Sequence, residues 1–278
     1  MTRIEPSTSS EKAAAQQGDN GFWDVLRRET RARVGLARTG NAQTTPDVLG
    51  FQAAHAQARD AVHTPLDVPA LSQALLPAVP VVVTSAAQDR PTYLRRPDLG
   101  RQLDDASRDS LKSGKWDLAI VLADGLSARA VSGYGPALFH ACLAGMPDLR
   151  IAPPVIALQG RVALGDDIAQ SLGARMVAVL IGERPGLSVS DSMGVYFTFE
   201  PRRGCPDSRR NCLSNIHTHG LSVTEASLKL IWLIRESQRL GLSGVDLKER
   251  APAASVTDAA LMGSAPHTQT NKSREESP

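Results

Sequence analysis

Only three cysteines, Cys142, Cys205 and Cys212, occur in 278 residues, and so sparse and odd a count excludes a disulfide-built scaffold. Apolar runs such as 176–181 stop far short of the roughly 20 residues that span a bilayer as a helix, so no membrane partner is expected. The sequence opens without a basic segment leading into an apolar stretch, and a reducing cell interior is the expected location. Charge of one sign is missing as well. Basic residues number 31 and acidic residues 29, a formal balance of +2, which lacks the electrostatic footprint of a dedicated nucleic-acid binder. Aromatic residues make up only 4% of the chain, and lysine is scarce: arginine outnumbers it 25 to 6. Arginine's rigid fork favours fixed contacts to carboxylates, phosphates or a partner surface.

What is present is a chain of globular composition, 42% apolar, long enough for one large or two modest domains. Residues 1–20 and 251–278 are polar and lack an apolar period, and both read as disordered tails. A helix is predicted from Thr45 to Val62, with Thr45 as cap, Pro46 in the first turn, and Phe51, His55, Ala58 and Val62 at helical spacing. Six prolines between Pro65 and Pro97 then leave room only for short elements, a helix over 69–76 and a strand over 81–85. Residues 21–112 therefore read as a smaller, mainly helical N-terminal region.

Residues 113–250 have a different texture, with strands over 118–123, 155–159 and 176–181 alternating with helices over 127–144 and 164–172. A further strand follows at 195–199 and a long helix at 224–240, whose stripe includes Leu228, Ile231 and Trp232. Strand-helix-strand alternation implies an α/β fold: a parallel-sheet, Rossmann-like domain with right-handed crossovers. In such a sheet ligands bind beyond the carboxyl ends of the strands. Three loops qualify, at 123–127, 159–166 and 182–188, and they bring Asp124, Arg161, Asp166 and Glu183 to one rim. Each residue also has a purely structural reading: Asp124 as a helix cap, Arg161 paired with Asp166, Glu183 paired with Arg184 or an interface arginine, Val162 in ordinary packing.

Several chemistries drop out. No Gly-x-Gly-x-x-Gly follows a strand, and Gly133-Tyr134-Gly135-Pro136 falls inside a predicted helix. No phosphate-binding loop or Gly-x-Ser-x-Gly elbow occurs. Cys205, Cys212, His217 and His219 do not match the spacing of structural zinc sites, and Cys212 reads as a small, mostly buried residue on a site-lining strand.

Three stretches in order resemble the small subunit of ethanolamine ammonia-lyase: 161–168 (RVALGDDI), 180–188 (LIGERPGLS) running on to 191–196 (DSMGVY), and 210–216 (RNCLSNI). The resemblance extends more weakly over about 45–250 through Phe51, His55, Arg59 and Asp60, through 93–100 (YLRRPDLG) and through 123–128 (ADGLSA). It implies a hetero-oligomer that uses adenosylcobalamin to convert ethanolamine to acetaldehyde and ammonia. A large-subunit barrel would hold the substrate and perform the radical rearrangement. This chain, a carbon–nitrogen lyase subunit inactive alone, would clamp the corrinoid at their junction. By motif, the cobalamin contacts fall on Val162, Glu183 and Cys212, with no catalytic residue and no cobalt ligand from this chain. The Asp-x-His-x-x-Gly pattern of proteins that replace the cofactor's lower base is absent, so the native benzimidazole is expected to stay on cobalt. The chain departs from the family pattern at Cys205 and at His217-Thr218-His219. Two alternatives stand beside this reading, a free-standing nucleotide-binding or oxidoreductase module and a non-enzymatic scaffold. Whether a bacterial microcompartment houses the protein is left open, since the first residues lack an amphipathic stretch.

Overall fold

A computed structural model describes residues 21–248 and 250. The two predicted tails, 1–20 and 251–278, lie outside the described residues. Among the described residues two compact units emerge: one takes those up to His63 together with Pro185–Ser190, the other takes Thr64–Arg184 and those from Asp191 onward.

In the first unit, residues 21–29 are helical, a short antiparallel pair forms from β1 (Arg38–Thr39) and β2 (Ala42–Gln43), and α1 spans Thr45–His63. The cap of α1 is Thr44 rather than Thr45: its hydroxyl donates to Asp47 at 2.7 Å and accepts from the Asp47 amide at 3.4 Å. Thr45 and Pro46 thus occupy the first turn, where a missing N–H costs nothing. The apolar spacing that marks α1 does not produce a buried face. Ala61 alone is buried, while Phe51 is 46% exposed, stacked on His55 with the Arg33 guanidinium 5.9 Å from its ring centre.

The second unit is built on one six-stranded sheet. Its strands are β3 (Val81–Thr84), β4 (Trp116–Ala123), β5 (Val155–Leu158), β6 (Ala174–Gly182), β7 (Met193–Phe199) and β8 (Arg210–Ile216), in the order β3-β5-β4-β6-β7-β8. The first four positions pair in parallel. β7 runs antiparallel to both neighbours, which corrects the expectation of a wholly parallel sheet. The reason is the connection: 183–192 contains no helix, and a parallel return needs a crossover of a dozen or more residues.

Alternation along the central strands splits their side chains between two cores. Leu118, Ile120 and Leu122 of β4 join Met176, Ala178 and Leu180 of β6 on one face. That face is covered by α2 (Val68–Ala74), α5 (Ala128–Gly145) and α7 (Val223–Leu240). Ala119, Val121 and Val179 point to the other face, under α6 (Leu164–Leu172). Two short helices complete the unit, α3 (Arg90–Arg95) and α4 (Asp105–Ser110), each capped by the aspartate before it. Gly133 to Pro136 lie within α5, as predicted. The long helix starts one residue earlier than predicted because Ser222 and Glu225 form a reciprocal capping box. Its fully buried stripe is Ala226, Leu230, Leu233 and Ile234, with Leu228, Ile231 and Trp232 only half-buried. Among the described residues no helix is long and apolar enough to cross a membrane.

β4 and β6 are neighbours, yet β4 leads by α5 to β5 on one side while β5 leads by α6 to β6 on the other. Their ends therefore open a crevice at which strand order reverses. Gly182 closes β6 against this crevice so tightly that a Cβ there would overlap the backbone carbonyl oxygens of Ser127 and Asp124. Neither can yield without moving the loop. Gly182→Ala should therefore lower stability by about 2 kcal/mol or more in urea unfolding. Gly50→Ala, on an open face of α1, should cost nothing.

Candidate ligand-binding site at the sheet edge

The loops after β4, β5 and β6 do share one rim, but the rim residues divide into those that build it and those that line it. Asp124 builds it. Only 4% exposed, its carboxylate accepts from the amides of Gln159 at 2.9 Å and Gly160 at 3.0 Å, with Arg90 3.6 Å away. Burial pushes its pKa up, against the pull of those two amides and Arg90. The grip holds Gln159 at φ 54°, a left-handed conformation a non-glycine residue rarely takes unaided. The capping role read for Asp124 is thus replaced by a bridge between two strand ends.

Gly160 in turn accepts from the Tyr93 hydroxyl at 3.1 Å. The Tyr93 ring carries two guanidinium groups, Arg90 at 4.7 Å and Arg161 at 4.3 Å from its centre, and burial raises its phenol pKa to about 12. Arg161 therefore does not pair with Asp166. That carboxylate, 1% exposed, takes both forks of Arg210 at 2.7 Å each, while Arg210 Nε reaches Asp207 at 3.0 Å. Burial opposes the charge on Arg210, but its hydrogen bonds to Asp166 and Asp207 outweigh that and hold it protonated. Asp166 is thereby withdrawn from the rim surface.

Above this scaffold runs a groove of two adjoining depressions that share Arg161, Val162 and Tyr196. One, about 420 Å³, is also lined by Gly125, Leu126, Gly182 and Glu183; the other, about 370 Å³, by Arg101, Asp207, Arg210 and Cys212. Val162, Glu183 and Cys212 thus meet in one groove. Glu183 is held by Ser192, whose hydroxyl donates at 2.5 Å, and by the Asn215 amide at 3.4 Å, not by Arg184 or another arginine. Cys212 lies on β8 as anticipated, yet it is exposed rather than mostly buried. Tyr196, on β7, lies opposite Cys212 in the β7–β8 register, and partial burial of the Cys212 sulfur raises the thiol pKa, with the Glu183 carboxylate adding to the rise.

Tyr93, Tyr196, Arg101 and Arg210 were not assigned to the site from sequence, although Tyr93, Tyr196 and Arg210 fall inside the stretches that carry the family resemblance. For Tyr196 a signal existed: Met193, Val195, Phe197 and Phe199 alternate into one core, which turns Tyr196 toward the opposite face. The others depend on partners distant in sequence. His217 and His219 interact with each other, the amide of His219 donating to His217 Nδ1 at 3.2 Å, and among the described residues no cluster of three metal-ligating side chains occurs.

Comparison with known proteins decides the family. The model of the ethanolamine ammonia-lyase light chain matches residues 20–248. The chain belongs to that family. Curated relatives named as the ethanolamine ammonia-lyase small subunit include one from Rhodococcus erythropolis, 47% identical over 246 residues, covering 87% of this chain and 95% of that protein. Others come from Azotobacter vinelandii, 48% identical over 247 residues (85% and 92%), and Ralstonia nicotianae, 50% identical over 240 residues (82% and 88%). Every groove residue falls inside the span matched by the light-chain family.

Two outcomes follow from the geometry. Removing Arg210 strands a buried carboxylate, so Arg210→Ala should cost about 3–5 kcal/mol in chemical unfolding. The raised thiol pKa leaves less thiolate at neutral pH, so alkylation of native protein should map to Cys212, with Cys142 and Cys205 protected by burial. It should run slower than that of a free thiol and accelerate as pH rises past the ordinary cysteine range, read by peptide mass mapping.

Proposed function

We propose that this chain is the small subunit of an adenosylcobalamin-dependent ethanolamine ammonia-lyase and that its rim groove receives one side of the corrinoid. A large catalytic subunit closes the site, binds ethanolamine and carries out the cleavage to acetaldehyde and ammonia, so that this chain alone is inactive. The observation carrying this reading is that Val162, Glu183 and Cys212, far apart in sequence, line a single groove.

The residues present suit such a ligand. Glu183 offers carboxylate oxygens to amide N–H groups and is fixed in place by Ser192. Val162, Tyr196 and the protonated Cys212 thiol offer apolar and weakly polar surface to a ring edge. A buried Arg161 Nε has no acceptor, a sign that a polar ligand belongs nearby. When bound, adenosylcobalamin supplies the radical chemistry, while these side chains bind, orient and exclude water. Each depression sits at the low end of the ~300–1000 Å³ that suits drug-sized ligands, too little to enclose a corrinoid, so a second polypeptide must supply the remaining wall. Exposed Phe22, Val25, Leu49 and Phe51 in the first unit add to the case for an assembled state.

Co-expressed with its large subunit, the chain should assemble and release acetaldehyde from ethanolamine only with adenosylcobalamin added; failure to assemble or to turn over would sink the proposal. Glu183→Ala should weaken cobalamin binding by the complex about tenfold, measured by ultrafiltration of the coloured cofactor. No histidine is among the described residues that line the groove, so on this reading the chain would offer no imidazole to replace the cofactor's own lower base. Paramagnetic resonance of the complex grown with nitrogen-15 histidine should leave the axial-nitrogen splitting unchanged.

A further inference from the structure

The groove carries more positive charge than its architecture consumes. Its lining includes four arginines, Arg101, Arg161, Arg184 and Arg210, against two carboxylates, Asp207 and Glu183. The carboxylates around Arg161 are committed elsewhere. Asp124 serves Gln159, Gly160 and Arg90; Asp166 and Asp207 serve Arg210; Glu183 serves Ser192. Arg161 itself stacks on Tyr93, donates from one terminal nitrogen to the Tyr93 carbonyl at 3.2 Å, and leaves a buried Nε unsatisfied. Among the described residues it has no carboxylate partner, unlike Arg90 and Arg210. A half-buried guanidinium without a counter-ion is costly in the free protein and becomes favourable when an anion arrives.

Arg161 is also held in place from every side. Its amide donates to Gly100 at 2.8 Å, its stem packs where Gly100 has no side chain, and its position at the junction of both depressions puts it beside any ligand that fills the groove. Resting on the cofactor reading above, we infer that Arg161 is the anion anchor of the groove and receives the phosphodiester of the cobalamin nucleotide tail. Glu183 then meets neutral amides and Arg161 the one anionic group, which fixes the direction in which the cofactor lies.

The test compares two corrinoids on the complex with the large subunit: cyanocobalamin, which has the phosphodiester, and dicyanocobinamide, which lacks the tail. Arg161→Met, which preserves the stem, should weaken cyanocobalamin binding about 10- to 100-fold and leave dicyanocobinamide within about twofold of the wild type. Equal loss on both corrinoids, or no loss on either, overturns the assignment. So does weakened subunit assembly with the preference for the tail preserved, since the anion would then be an acidic group of the partner. If the methionine variant does not fold, Arg161→Lys decides: it retains the charge but not the fork, and a tail-selective loss of about threefold or more supports the anchor, whereas an unselective change or none overturns it. A wild-type complex that binds neither corrinoid overturns the cofactor reading itself, an outcome distinct from all of these.

Discussion

The buried carboxylate of Asp124 is the interaction on which the sheet edge depends. Two parallel strands end side by side, and a single side chain just past one accepts two successive N–H groups just past the other. This carboxylate is costly to bury and persists because the amides and Arg90 surround it. Its consequence travels outward: the turn at Gln159 is fixed, Gly160 meets Tyr93, and Tyr93 supports Arg161 beside Val162. The groove-lining residues thus stand on a polar frame of which Tyr93 itself reaches the groove.

A second buried pair does the same work from the far side. Arg210 leaves β8 to grip Asp166 at the start of α6, fastening the antiparallel edge of the sheet to the helix that follows Val162. Tyr196 stands on β7 between these two fixtures, so the groove walls descend from strands of both orientations. On the proposed reading such fixed walls would suit a ligand positioned for chemistry on another chain, because looseness in either half misplaces the reacting atom.

Much of this was legible in the sequence. Strands and helices of the α/β unit fall within a few residues of their predicted limits, since period-two and period-3.6 patterns mark them directly. The three rim loops were legible for the same reason, and Cys212 was placed on a strand by its neighbours. Less legible were the short helices at Arg90–Arg95 and Asp105–Ser110, too brief to show a period and betrayed only by their aspartate caps. The apolar residues of Thr45–His63 gave the helix but misled about its burial, because periodicity records a face without naming what covers it.

Local pattern therefore determined the elements, their order, the loops that meet at one end and, through its motifs, the family. Tertiary structure alone decided how each rim residue is used. Asp124 turned inward, Asp166 went to Arg210 and Arg161 went to Tyr93, and each of those partners lies tens of residues away in the chain. Strand direction at β7 was decided in the same way, by a connection with no crossover helix. Periodicity is a property of neighbours along the backbone, whereas the pairing of a buried charge is set by whichever opposite charge or amide the folded chain brings within hydrogen-bond reach.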